Sequence, residues 1–147
     1  MEKWMNVVTE ESSGWKTSAL LLARLTMAAI FAMGFAFKIM DINMTATYIA
    51  AAGFPLSLPL AWCAAIFELA LVISFLSGAY FREACILAAV YVVFLAFAFH
   101  GASTWSKDAE GLNFGAFVSH FPFAAGLLFG AVSGPGRALA WRKSIIN

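Results

Sequence analysis

Residues 56–100 read LSLPLAWCAAIFELALVISFLSGAYFREACILAAVYVVFLAFAFH, two long apolar segments joined by a short turn over 77–82 around Gly78. One carboxylate, Glu68, lies near the middle of the first segment. An ionised carboxylate at bilayer depth is costly unless it is paired, hydrated or protonated, so an intramembrane Glu marks a candidate functional site. The rest of the chain is read for what supplies Glu68 with partners.

Composition agrees with a membrane setting. The 147 residues are 63% hydrophobic and 12% charged, against about 45–50% and about 25% in soluble domains. The chain therefore reads as an integral membrane protein of one domain, in contact with the lipid bilayer. Its formal net charge of +1 gives no reason to expect a nucleic-acid partner. Two cysteines, Cys63 and Cys85, form neither a disulfide framework nor a metal-binding spacing. In antiparallel spans sharing the turn at Gly78 they are offset by roughly 16 Å at ~1.5 Å per residue, whereas a disulfide needs Cα atoms within about 7 Å.

Working outward from Glu68, the second span is expected over 58–76 and the third over 81–100, antiparallel because so few residues join them. Ahead of them, SALLLARLTMAAIFAMGFAF predicts the first span over 18–37, ended by Lys38. Before it, Glu2, Glu10 and Glu11 spoil the basic start of a cleaved signal; Trp4, Met5, Val7 and Val8 suit either a short interfacial helix or a frayed tail. Between Lys38 and Pro55, Met44, Tyr48, Ile49 and Ala52 recur at helical spacing after Asn43, a candidate N-cap, with Gly53 as the stop. A fourth span is expected over 114–132, closed by SGPG at 133–136. The predicted fold is an all-α membrane protein, an antiparallel four-helix transmembrane bundle with a short interfacial helix between spans 1 and 2. Small residues at four-residue spacing, Ala28/Ala32, Ala84/Ala88 and Gly126/Gly130/Gly134, let its helices approach closely.

Positive charges orient it. One surface collects Lys3, Lys16, Arg82, Arg137, Arg142 and Lys143, the other Lys38 and Lys107. The positive-inside rule then puts both termini in the cytoplasm, as in a multi-pass protein of the cell inner (plasma) membrane. Counted from that surface at ~1.5 Å per residue, Glu68 lies roughly 15 Å deep and Arg24 roughly 9 Å. Arg24 either snorkels to the near surface or reaches Glu68 as its partner. At the opposite face Lys38, His100 and His120 are expected to form a polar cluster with Trp105 near the same mouth.

The order Arg24, Phe31, Lys38, AAGFPL at 51–56, Glu68, Gly78, Arg82, FHG at 99–101 and GPGR at 134–137 resembles the DoxX family of small four-span membrane proteins. The pattern runs through nearly the whole chain past residue 18. Two departures stand out: Phe35 follows Gly34 where the family usually places its glycine one residue later, and Ser119 and His120 stand where many members carry Lys-Asn. The resemblance implies a quinone-linked role, since relatives are described as the membrane subunit of thiosulfate:quinone oxidoreductase or as parts of membrane redox complexes.

Two functional readings follow. In one, a quinone is bound, Glu68 and Arg24 are a proton-accepting pair, and His100 or His120 donates to a quinone carbonyl. Lys38, His120, Trp105 and Arg82 complete the candidate ligand-binding set. Free imidazole titrates at about pH 6.5, which suits proton exchange with a reduced oxygen. No haem-attachment CxxCH, CxxC or Rossmann glycine motif occurs, and no flavin or metal site is evident, so electrons are expected from a protein partner or the substrate. In the other reading the charged pair locks helix register, and the protein is a scaffold or assembly subunit of a larger complex or homo-oligomer. The orientation is directly testable: a membrane-impermeant maleimide added outside should label a cysteine placed at Ser106 and spare one at Ser144. The reverse pattern would invert the two faces.

Overall fold

The computed structural model describes residues 2–106, 110–141 and 143–146, with 2–13 described by their backbone alone. Lys107 and Arg142, counted for orientation, and the side chains of Lys3, Trp4, Met5, Val7 and Val8 lie outside the described residues. Six helices follow in order: α1 (Glu2–Met40), α2 (Ile42–Ala51), α3 (Ser57–Ser77), α4 (Phe81–His100), α5 (Ala102–Trp105) and α6 (Leu112–Ser133). Four of them, α1, α3, α4 and α6, contain stretches long and apolar enough to cross a membrane. They alternate in direction, and α1 packs mainly on α3 while α4 packs mainly on α6. The protein is thus a four-helix membrane bundle. One end carries the termini and the α3–α4 turn, the other carries α2 and α5.

The expected spans are recovered with two changes at the first. Residues 2–13 continue the span as one helix instead of forming a separate interfacial segment or a frayed tail. The short helix after it is capped by Asp41, whose Oδ1 accepts the Met44 N–H at 2.8 Å, and not by Asn43, which sits inside its first turn. An N-cap side chain must stand outside the helix to reach the third amide within it, and only Asp41 does.

The interior is built from aromatic rings and small residues. Phe31, Phe75 and Phe81 pack in sequence with centroids 5.7 Å apart, and Leu127, Cys85 and Ala88 are fully enclosed around them. Cys85 lies against Gly130, where an added Cβ would stand 3.1 Å from its sulfur. Gly130 lets α6 approach α4, and Gly134 packs against Arg82, so these two glycines serve packing within the chain, whereas Gly126 faces open space. Both cysteines are free. Outward, Leu22, Ile30, Met33, Ile66, Ile73, Val90, Phe129 and Val132 are exposed around the bundle, the surface a lipid environment accommodates.

The terminal end is closed by the tail after α6. Arg24, 1% exposed, donates to the carbonyls of Pro135 (2.9 Å), Leu139 (2.8 Å) and Leu76 (3.5 Å). The Trp141 N–H donates to Ser77 O at 2.7 Å, and the Tyr80 N–H to Lys143 O at 2.6 Å. Glu83 accepts from the Ser144 hydroxyl and from the backbone N–H groups of Ile145 and Ile146. Gly78 makes the close approach possible: its φ is +75°, and a Cβ there would lie 2.8 Å from that of Ala140.

A guanidinium that satisfies three otherwise open carbonyls holds this strap in place. Arg24→Met is therefore expected to leave four spans intact while trypsin cleavage at Arg137 in detergent accelerates about tenfold. An unchanged cleavage rate would show that the strap is held without Arg24.

Candidate functional site

Glu68 finds a partner on α1, and it is Lys38. The Lys38 ammonium donates to both carboxylate oxygens at 2.9 Å, and the Tyr91 hydroxyl donates to Oε1 at 3.0 Å. Helical side chains lean toward the N-terminus of their helix, so Lys38 reaches back about one turn and lies 3.4 Å from the Gly34 carbonyl. Gly34 leaves the space for this meeting: a Cβ there would stand 2.9 Å from Glu68 Oε2. The Glu68 side chain is 5% exposed and that of Lys38 is 19% exposed, so the pair is largely withdrawn from the bundle surface.

The expected Arg24–Glu68 pair is therefore corrected. Arg24 lies level with the end of α3 and the tail, because α1 runs on continuously beyond the expected start of the span, and its two terminal nitrogens donate to backbone carbonyls there. Arg82 lies at the terminal end of the bundle, where it lines a smaller cavity of about 330 Å³ with Phe81, Pro135 and Lys143. It donates to the carbonyls of Ala131 (2.6 Å) and Val132 (2.9 Å), closing the open end of α6. Trp105 does the same at α4, its indole N–H donating to His100 O at 2.8 Å while the ring packs on Phe114 and Phe117.

Beside the Lys38–Glu68 pair, in the half of the bundle away from the termini, is a cavity of about 740 Å³. Its walls are aromatic and aliphatic: Tyr48 stacks on Phe99 with centroids 5.1 Å apart, and Phe54 meets both Phe94 and Phe99 edgewise or tilted. Its polar lining includes Lys38, Tyr91, His100 and His120. The two imidazoles lie 5.3 Å apart between centroids. His120 Nδ1 lies 2.6 Å from Ala116 O, and His100 Nδ1 lies 3.0 Å from Asn113 Oδ1. The Lys38, His100 and His120 neighbourhood read from the span ends is thus one wall system, to which Glu68 is joined through Lys38.

Tyr91 is not among the residues the sequence points to, and Gly34 stands out there only as a departure from the family's spacing. Tyr91 carries the lone hydroxyl inside the third span, and a polar group there has few partners other than another polar group at equal depth; that was the available signal. Gly34 had a weaker one, as the glycine one turn before a span-ending lysine. No group of three or more His, Cys, Asp or Glu side chains suited to a metal ion occurs among the described residues.

Removing one member of a buried ion pair leaves the other uncompensated, at a cost of about 3–5 kcal/mol, whereas removing both is milder. Glu68→Gln and Lys38→Met are each expected to lower the detergent melting temperature more than the double variant does. Arg24→Met should combine additively with Glu68→Gln, since the two residues share no partner. Additive losses for the Lys38/Glu68 double variant would argue against the contact.

A family model, DoxX, matches residues 19–101, more than half of the chain. No curated protein matches the chain, and no solved structure does. The matched segment spans α1 through α4, including Lys38, Glu68, Tyr91 and His100. On this match, and with the four membrane-spanning helices it accompanies, the chain belongs to the DoxX family.

Proposed function

We propose that this protein is a quinone-linked membrane redox protein, or a subunit of a membrane oxidoreductase complex, that holds the quinone ring in the aromatic cavity. The observation that carries the reading is the composition of that cavity. Pockets for small ligands are mostly apolar with a few convergent polar groups, and here aromatic walls from Tyr48, Phe54, Phe94 and Phe99 meet Tyr91, Lys38 and two imidazoles. A planar ring fits between such walls by offset or edge contacts. When bound, a quinone supplies two-electron, two-proton redox chemistry. Phe99 and Tyr48 would orient its ring, and the Lys38–Glu68–Tyr91 group would provide fixed charge and a proton-bearing hydroxyl beside it. Electrons then come from a partner or from the substrate, because the sequence carries no haem-attachment or dinucleotide-binding motif.

The same reading places both termini in the cytoplasm of a cell whose inner (plasma) membrane contains the bundle, with the cavity in the outer half. The charge count supports this more strongly once Lys38 is removed from it as a paired, inward charge. A non-catalytic scaffold or assembly role is the second reading, and one observation favours it: the Lys38–Glu68–Tyr91 group is satisfied within itself, as a helix-register lock would be.

Solvent extraction of the purified protein separates the two. The redox reading expects quinone at near-stoichiometric amounts over the lipid background, at least about tenfold reduced in His100→Phe with expression unchanged. A stoichiometric protein partner without extractable quinone would overturn it in favour of the scaffold.

A further inference from the structure

The polar groups of the cavity differ in what they have left to offer. A carbonyl oxygen cannot donate, so the proton in the His120 Nδ1···Ala116 O contact belongs to the imidazole; with the Asn113 amide turned to present Oδ1, the proton in the His100 contact does too. In each neutral ring Nδ1 is then the donor, and Nε2 is left as an acceptor. The Tyr91 O–H is taken by Glu68 and the Thr45 hydroxyl by Asp41 O at 3.3 Å. The Lys38 ammonium is turned to both Glu68 oxygens and to Gly34 O. Among the described side chains that line the cavity, donors remain on Tyr48, at the exposed rim, and on the Cys63 thiol, a weak one.

We infer that the cavity selects a ligand that brings its own hydrogen-bond donors: a membrane-soluble phenol or quinol, the hydroxyl-bearing reduced form, over a quinone. The inference rests on the ligand site proposed above and specifies which form occupies it. A quinone carbonyl that meets an imidazole Nε2 sets lone pair against lone pair with no proton between them. A quinol of the same size and ring carries an O–H in place of each carbonyl, so the oxygen that meets the imidazole brings the proton. This reverses the role expected for the histidines from sequence, where one of them was to donate to a quinone carbonyl. A site whose polar groups are fixed on one side of the hydrogen bond rejects the analogue lacking the complementary group, because its own buried groups are then left unpaired.

The test is calorimetric titration of the purified full-length protein in detergent under anaerobic conditions. Two matched pairs serve as probes: decylubiquinol against decylubiquinone, and 4-nonylphenol against its methyl ether, which has the same ring and tail without the donor and without redox chemistry. The expected result is at least about tenfold tighter binding of each hydroxyl-bearing member, with both ratios falling below about threefold in His120→Phe. Equal or inverted affinities in the wild-type protein would overturn the inference, whether or not the variant folds. If the phenol is preferred over its ether while neither ubiquinone form binds, the donor selection stands and the quinone reading fails. If none of the four binds, both fail.

Discussion

A carboxylate in the middle of an apolar helix has to be neutralised where it lies, and the meeting of Glu68 with Lys38 and Tyr91 is how this bundle does it. Three helices are tied by that one group: α1 through Lys38, α3 through Glu68 and α4 through Tyr91. The contact requires a long side chain reaching back along α1, a missing side chain at Gly34 and a hydroxyl at matching depth on α4. It fixes the relative height of the three helices, and with it the position of the residues they contribute to the cavity beside them.

The two ends of the bundle are built for different purposes. At the terminal end, polar side chains turn mainly to backbone: Arg24 and Arg82 satisfy carbonyls, and Glu83 gathers the amides of the tail. That end leaves a smaller cavity, of about 330 Å³. At the other end α2, α3 and α4 enclose an aromatic-walled space, and its polar groups face a cavity large enough for a ring and part of a chain. The proposed quinone site therefore rests on that half of the molecule, whereas the DoxX match over residues 19–101 runs through both.

Architecture was legible in the sequence because membrane spans are set by length and apolarity, which are local properties. The span limits, the Gly78 turn and the stop at 133–136 all follow from such signals. The partner of Glu68 was not legible in the same way. Depth counted from an assumed span start put Arg24 within reach, but α1 continues through residue 2 with no break to mark the start, so the count had no fixed origin. Lys38 was read as a span-ending surface charge because its backbone sits near the helix end; its side chain points back inward. Arg82 and Trp105 drew attention as polar or amphipathic groups at a mouth, yet each caps a helix. Capping depends on where another helix ends in space, which no spacing within the sequence displays. The proximity of His100 and His120 did follow from counting, because both are referenced to the same end of the bundle.

Binding of a lipid-soluble ring in the half of the bundle away from the termini is measured most directly by photoaffinity labelling with an azide-bearing alkylphenol, followed by peptide mapping. Covalent label is expected on α2 and α4, concentrated around Tyr48, Phe94 and Phe99, and competed away by unlabelled quinol. Label confined to the terminal end, around Arg82, Glu83 and the tail, would contradict it.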